Sequence, residues 1–338
     1  MNTAARARIS AVQPLWAIEG GRVTIAGDGL FAGDDLPEVR FESSIARIAR
    51  AGPHSLTAIV PSGLDGGPTA VRIDSAPGET VYVDVGAPLA TGLHQVDSPV
   101  FDRDGNLYVT YSGSRGQQVP VSIYVVRRDG TRQPFVTDLP NPTSMTVGPD
   151  GYLYVSSRFD GCVYRVDRSG AVSPYATHLG VACGIAFGPD GKLYVGDRSG
   201  SVLAVSEGRA AQFAALPPSV AAFHLAFGPD GSLYVCAPTL APCDVVYRIT
   251  PDAGVDVLAE GFGRPQGLAF DSNGALYVVD AIAGDSALYR LNIKTGARER
   301  LLEGGSLIGL AFDPVGGMVL ASNDSVYRFE NGLQPLFG

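Results

Sequence analysis

A nine-residue segment that recurs six times constrains the fold of this chain more than any other feature. Its clearest copies contain Gly-Pro-Asp-Gly-x-Leu-Tyr-Val and lie at 147–155, 187–195 and 227–235. Weaker copies lie at 101–109, 270–278 and 312–320. The turn glycines of the six copies, 40 to 46 residues apart, are Gly105, Gly151, Gly191, Gly231, Gly274 and Gly316. A period of this length indicates a repeat architecture.

Each repeat has the pattern of a small antiparallel sheet. The Asp-Gly or Asn-Gly dipeptide favours a tight hairpin turn, and a Leu-Tyr-Val strand follows it. A third strand with a Val-Tyr-Arg pattern follows, as at Val163 and Val246, and a fourth precedes the next repeat. Four such strands form one propeller blade, so the sequence predicts a six-bladed β-propeller over 87–338. Residues 333–337 and 87–92 both resemble the last outer strand, which leaves open which chain end closes the ring.

The first 86 residues have a different pattern. Alternating apolar residues at 23–25, 39–41, 59–61 and 71–73 predict a small immunoglobulin-like β-sandwich. The order of these motifs resembles the IPT/TIG family of immunoglobulin-like domains over nearly the whole segment. That resemblance implies a structural or interaction module, so a protein partner is expected to bind through this domain.

Charge and composition exclude several kinds of function. The net charge of −9 would not attract nucleic acid, and no apolar run is long enough to span a membrane. The only lysines, Lys192 and Lys294, lie in polar turns, which argues against Schiff-base catalysis. Residues 1–10 contain no recognisable secretory signal, so we expect a cytoplasmic protein whose four cysteines are reduced.

The blade topology predicts where a functional site lies. The Asp-Gly turns share one face of the ring, while the loops after each second strand and before each first strand share the opposite face. We call these the lower and the upper face. The residues eight positions before each turn glycine are Asp97, Thr143, Cys183, Phe223, Gln266 and Ile308. Those that follow each second strand are Tyr111, Ser157, Asp197, Ala237, Asp280 and Ser322.

Seven polar side chains are therefore expected to converge at the upper mouth of the central channel. Asp97 and Gln266 come from the first set and Asp197 and Asp280 from the second, while His224 holds the position after the first set and Arg158 and Arg198 the position after the second. A ring of mixed charges in a funnel of low dielectric constant favours a small polar ligand. The competing interpretation is that these aspartates and arginines only pair with each other and with loop amides.

The repeats resemble NHL-repeat and gluconolactonase-like (regucalcin-type) six-bladed propellers over about residues 88–338. Asp97-Ser-Pro-Val-Phe101 looks like the first metal-binding element of the lactonases, with a shortened carboxylate. The resemblance implies a divalent metal, with His224 and Gln266 at the other ligand positions. Because calcium prefers several carboxylate oxygens, this set favours a softer divalent ion, or no metal at all.

Two functional hypotheses follow. The first, which the narrow channel mouth favours, is a metal-assisted hydrolase of a small lactone or ester. In it Asp97, His224 and Gln266 hold the metal, Asp197 or Asp280 acts as general base, and Arg158 or Arg198 stabilises negative charge. The alternative is a non-catalytic NHL-type scaffold that binds a protein through the upper face or the N-terminal domain.

Overall fold

The computed structural model describes residues 7–31, 35–221, 223–282, 286–330 and 332–333. Throughout these ranges the regular secondary structure consists of β-strands. The same residues include no helix with the length and apolar character needed to cross a membrane.

The N-terminal part forms one curled sheet, which we call the N-terminal sheet. Its strands are β1 (Arg8–Gln13), β2 (Trp16–Ala17), β3 (Arg22–Asp28), β4 (Val39–Phe41), β5 (Ser44–Gly52), β6 (Ser55–Ile59), β7 (Gly67–Ile73) and β8 (Val81–Val85). They are arranged in the order β1-β3-β6-β5-β4-β7-β8-β2. Only Pro14 and Leu15 separate the two outermost strands along the chain, so the sheet curls until it is nearly closed. Side chains such as Val23, Phe41 and Leu56 fill its core.

The two separate layers of the predicted immunoglobulin-like sandwich are not shown. The long strand β5 joins both halves, since Val39 of β4 pairs with its residue Ala46 while Ile59 of β6 pairs with the next residue, Arg47. A strand that is shared in this way produces one continuous eight-stranded sheet. What is confirmed here is the all-β character of the segment.

The rest of the chain forms the six predicted blades, each of four strands. The first blade contains β10 (Val100–Phe101), β11 (Leu107–Thr110), β12 (Ile123–Val126) and β13 (Arg132–Val136). The second contains β14 (Pro142–Val147), β15 (Leu153–Ser157), β16 (Cys162–Val166) and β17 (Val172–Ala176). The third contains β18 (Ala182–Phe187), β19 (Leu193–Asp197), β20 (Ser201–Ser206) and β21 (Arg209–Ala215). The fourth blade contains β22 (His224–Phe227), β23 (Leu233–Cys236), β24 (Asp244–Ile249) and β25 (Val255–Phe262). The fifth contains β26 (Pro265–Phe270), β27 (Leu276–Asp280), β28 (Ala287–Leu291) and β29 (Arg298–Glu303). The sixth contains β30 (Leu307–Phe312), β31 (Met318–Ser322) and β32 (Ser325–Phe329), together with β9 (Ala87–Thr91).

The sixth blade closes the ring with a strand from the N-terminal side. Strand β9 pairs antiparallel with β32, and Ala90 lies opposite Val326. Of the two segments that the sequence left open, 87–92 therefore supplies the outer strand. The other, 333–337, lies outside the described residues after Leu333.

The repeated letters explain both the hairpins and the contacts between blades. Each turn glycine has a positive φ, for example 78° at Gly151, which a residue with a side chain adopts only under strain. The tyrosine of the second strand packs edge-on against the phenylalanine that ends the first strand of the next blade. The ring centroids of Tyr154 and Phe187 are 4.8 Å apart, and those of Tyr194 and Phe227 are 4.9 Å apart. The same motif thus forms each blade and fastens it to its neighbour.

The N-terminal sheet packs against the last two blades. Ile18 is buried among Leu302 and Leu307, and Arg22 lies 3.8 Å from Glu303. Only Gly86 separates the end of β8 from the start of β9.

Candidate functional site

A cavity of about 330 Å³ opens at the upper face of the ring. Loops that lead into the first strands and loops that follow the second strands both line it. Its uncharged polar side chains include Gln95, Thr143 and Gln266, and its apolar wall includes Val220 and Ile308. Residues from all six blades or their connecting loops therefore meet here, as the repeat predicts.

The most buried polar group of this cavity is an imidazole paired with a carboxylate. His224 Nδ1 lies 2.6 Å from Asp97 Oδ1, and the two residues are only 2% and 5% exposed. The same carboxylate oxygen accepts the Ser98 amide at 2.6 Å. His224 Nε2 is buried and has no hydrogen-bond partner among the described residues. This arrangement joins the first blade to the fourth.

The backbone of the fourth blade turns His224 rather than its neighbour toward the cavity. Phe223 is fully buried and fills the space beside Gly184 and Gly196, where an added Cβ would clash with it. In the second, third, fifth and sixth blades the first strand contains a register shift near this position, whereas β22 pairs regularly from His224 onward. The residue of the fourth blade that lines the cavity is consequently His224, one position later than the spacing of eight residues before the turn glycine predicts.

The hydrogen bond with Asp97 determines which nitrogen of His224 carries the proton. An ionised carboxylate only accepts hydrogen bonds, so the nitrogen that faces Asp97 carries the proton. In the neutral ring Nε2 then presents a lone pair, and His224 is itself a lining residue of the cavity. A histidine held in this way by a carboxylate is suited to take up and return a proton.

Three arginines give the cavity its charge. Arg158, Arg198 and Arg264 line it, and none of its described lining residues is Asp or Glu. Arg198 donates through Nη2 to the Val220 carbonyl at 2.7 Å. The side chains of Arg158 and Arg264 make no hydrogen bond or ion pair with other described residues. Burial lowers the pKa of Arg158, and the nearby positive charges of Arg198 and Arg115 lower it further. An arginine nevertheless stays protonated in proteins, so the cavity favours an anion.

The cavity also contains a thiol, Cys183. Burial raises the pKa of this thiol to about 12. The Sγ atom lies 3.3 Å from the Val181 carbonyl oxygen, to which it donates. Because the thiolate is the nucleophilic form of cysteine, this raised pKa disfavours Cys183 as a nucleophile.

Asp197 and Asp280 do not line the cavity. Asp197 accepts the Val181 amide at 2.7 Å and the Ser199 hydroxyl, and Asp280 accepts the amides of Gly263 and Arg264 at 2.9 and 2.6 Å. Each thus fixes the loop that leads into the first strand of its blade. Of the seven residues expected to converge, Arg158, Arg198, His224 and Gln266 line the cavity, Asp97 lies behind His224, and Asp197 and Asp280 accept hydrogen bonds from loop amides.

A metal held jointly by Asp97, His224 and Gln266 does not fit this arrangement. Asp97 faces Nδ1 of the imidazole, whereas Nε2, the nitrogen with a free lone pair, lies on the other side of the ring. No set of three or more His, Cys, Asp or Glu side chains placed to hold a metal ion occurs in the described part of the chain. Three guanidinium groups also disfavour a cation.

Sequence reasoning missed Arg264 and Gln95. Both lie ten residues before a turn glycine, in the loops that lead into the first strands of the fifth and first blades. Ala221 has the same offset in the fourth blade and also lines the cavity. Aligning this second set of upper-face positions would have found them.

The comparisons with known proteins rest on structure alone, because no family model and no curated protein matches the chain. An auxiliary nutrient binding protein from Bacteroides thetaiotaomicron is 12% identical with a TM-score of 0.58, covering 97% of this chain and 98% of its own. A candidate gluconolactonase is 17% identical with a TM-score of 0.58, covering 84% and 97%. A catalytically inactive virginiamycin B lyase from Staphylococcus aureus, solved with quinupristin, is 16% identical with a TM-score of 0.52, covering 79% and 96%.

At these identities the likeness shows the fold. The chain is an all-β protein built on a six-bladed β-propeller of the architecture seen in gluconolactonase-like and virginiamycin B lyase structures. An IPT/TIG domain and NHL repeats in the strict sense stay predictions from the sequence.

Proposed function

We propose that the upper-face cavity hydrolyses a small lactone or ester, with His224 as the general base. The observation that carries this proposal is the buried Asp97–His224 pair, whose second imidazole nitrogen has no partner among the described residues. The gluconolactonase-like neighbour is consistent with it in fold.

The reaction needs no group beyond the side chains and water. His224 Nε2 takes a proton from a water molecule, whose oxygen forms a bond to the carbonyl carbon. Asp97 stabilises the imidazolium that results. The tetrahedral intermediate then collapses, the bond from carbon to the ring or ester oxygen breaks, and the imidazolium returns its proton to that oxygen.

Arg158 and Arg198 stabilise the oxyanion of the intermediate. Arg198 is held in place by the backbone carbonyl of Val220, and Arg158 has no carboxylate that would neutralise it. Positive groups fixed in a partly dehydrated site stabilise developing negative charge strongly. Both arginines thus have the role that the sequence suggested for them, whereas the general base in this proposal is His224 and not Asp197 or Asp280.

The test is a hydrolysis assay on a panel of γ- and δ-lactones and aryl esters. Replacing a general base lowers kcat by about 10²- to 10⁴-fold. We therefore expect His224→Ala to lose that much activity while Asp197→Asn keeps activity within about threefold, since an amide oxygen can still accept the Val181 amide. Equal losses in the two variants, or no turnover of any compound by the wild-type chain, would contradict the proposal.

A chelator separates this reaction from the metal-assisted one. Activity that survives dialysis against EDTA supports the mechanism through His224. Activity that is lost and then restored by Zn²⁺, Mn²⁺ or Ca²⁺ would favour the metal-assisted route that the family resemblance implies.

A second candidate is a binding protein that holds the same ligand without turnover. It is favoured by the full-length likeness to a nutrient binding protein, which includes the N-terminal part. Saturable binding in calorimetry, unchanged in His224→Ala and accompanied by no hydrolysis, would support this candidate over the enzyme.

A further inference from the structure

The cavity holds more positive charge than ester hydrolysis requires. One or two guanidinium groups are enough for a single oxyanion, yet three line this cavity and no described carboxylate shares its wall. The surplus is notable in a chain whose net charge is −9. Arg158 and Arg198 are half-buried and Arg264 is exposed, so none of the three is neutralised by a described carboxylate of the cavity wall, and together they would attract an anionic ligand.

We infer that Arg264 binds a carboxylate on the substrate, so that the compound hydrolysed is a lactone or ester that is itself an anion. This inference rests on the proposed function and names its substrate class. A guanidinium matches a carboxylate through two parallel hydrogen bonds, which gives direction as well as attraction. Arg264 is thus a specificity-determining residue, distinct from the arginines that face the oxyanion.

The local structure of Arg264 suits this role. Asp280 accepts its backbone amide at 2.6 Å and the preceding Gly263 amide at 2.9 Å. Its own carbonyl accepts the Ala281 amide at 2.9 Å. The backbone is therefore fixed on both sides, while the guanidinium has no partner among the described residues. The backbone therefore fixes where the side chain of Arg264 begins, and its exposed guanidinium is available to a ligand in the cavity.

Its position relative to the other arginines also matters. Arg158 and Arg198 follow the second strands of the second and third blades, which are consecutive in the ring. Arg264 leads into the fifth blade, and His224 belongs to the fourth. Two separate cationic points are thus offered to one ligand, one for the oxyanion that forms at the reacting carbonyl and one for its carboxylate.

The experiment uses two ligands of nearly equal shape, the γ-carboxylate and the γ-carboxamide of γ-butyrolactone. We expect the wild-type chain to prefer the carboxylate in kcat/KM by about tenfold to a hundredfold, the worth of a charged hydrogen bond. Arg264→Gln should remove this preference by raising KM for the carboxylate, with kcat largely kept and the carboxamide unaffected. Arg264→Lys should restore part of it. Arg209→Gln, an exposed arginine on the outer strand β21, is the matched control and should change nothing.

Calorimetry with His224→Ala separates this inference from the proposed function. We expect that variant to bind the carboxylate, not the carboxamide, and to lose this binding when Arg264→Gln is added, whether or not the wild-type chain hydrolyses any lactone. Hydrolysis of both ligands with equal kcat/KM would overturn the inference and leave the hydrolase proposal intact. Failure of the carboxylate to bind either protein, or unchanged binding in Arg264→Gln, would also overturn it.

Discussion

The lower face and the upper mouth are built by the same repeat, but they treat their charges differently. On the lower face the turn aspartates use both oxygens within the repeat: Asp150 accepts the Tyr152 amide at 3.2 Å and the Tyr154 hydroxyl at 3.0 Å. In the cavity, the guanidinium of Arg158 makes no hydrogen bond or ion pair with other described residues, and His224 Nε2 has no hydrogen-bond partner among them. The repeated motif satisfies its polar groups internally, whereas the positions at which the blades depart from the repeat leave polar groups unpaired among the described residues.

The sixth blade is an exception that supports this view. Val319 replaces the second-strand tyrosine, and Arg328 takes over the role of the hydroxyl by donating to Asp313 Oδ2 at 2.6 Å. Both residues of this ion pair are buried. The lower face thus keeps its turn aspartate satisfied even when the partner changes.

The largest effect expected on the lower face is that of Arg328→Met. Removing one partner of a buried ion pair leaves the other charge uncompensated, at a cost of about 3–5 kcal/mol. Urea unfolding should show this loss, while Arg128→Met, which breaks the exposed pair with Glu330, should cost less than about 1 kcal/mol. Hydrolysis per folded molecule should not change in either variant, and a selective loss in Arg328→Met would break the division between the two faces.

The second prediction concerns alkaline pH. Burial and the turn aspartates raise the pKa of Tyr108, Tyr154, Tyr194 and Tyr234 to about 12, from the ordinary tyrosine value of about 10. The unfolded chain therefore loses these protons first, so stability that is fully present below pH 10 falls as pH rises toward 12. Stability measured by denaturant titration at a series of pH values, together with tyrosinate absorbance, should follow this course. Free ionisation of these tyrosines near pH 10 in the folded protein would contradict it.

Tyr234→Phe should have a smaller effect on stability. The ring stays buried against Phe270, and only the hydroxyl that Asp230 accepts at 3.0 Å is lost. A hydrogen bond of this kind contributes about 1 kcal/mol. The exposed Tyr82→Phe is the control, with no measurable change expected. The two variants should be compared in the same denaturant series, and equal midpoints would show that the turn bond contributes nothing.

The smallest expected effect has the opposite sign. Arg158→Met removes a partly dehydrated charge that has no protein partner, so the free energy of unfolding should stay the same or rise by about 0.5–1 kcal/mol. Ligand affinity and hydrolysis should fall at the same time. Arg328→Met is the direct counterpart, because the same substitution there removes a paired charge. A loss of stability in Arg158→Met as large as in Arg328→Met would remove the contrast between the two faces.

The sequence predicts the ring and the position of the cavity because six copies of one motif all support the same interpretation. Six turns in register indicate the ring and its two faces, and equal offsets from the turn glycines place Thr143, Cys183, Gln266 and Ile308 in the cavity wall. The sequence places His224 at the mouth of the channel, but spacing alone does not tell which of the neighbours Phe223 and His224 enters the core. Nor does it tell an aspartate that lines a cavity from one that holds loop amides, as Asp197 and Asp280 do. Those distinctions depend on one-residue shifts and on hydrogen bonds between segments distant in sequence.

The single residue between the N-terminal sheet and the ring has a mechanical consequence. Gly86 donates to the Ala17 carbonyl at 2.8 Å, and a Cβ added to it would lie 2.8 Å from the Phe329 ring. This connection is too short and too tightly packed to act as a hinge. The next five residues form β9, the outer strand of the sixth blade. A force applied to the N-terminal sheet would therefore separate β9 from β32 and disrupt that blade. The two parts should therefore melt as one cooperative body, and a truncation that begins beyond Thr91 would leave an unsealed ring.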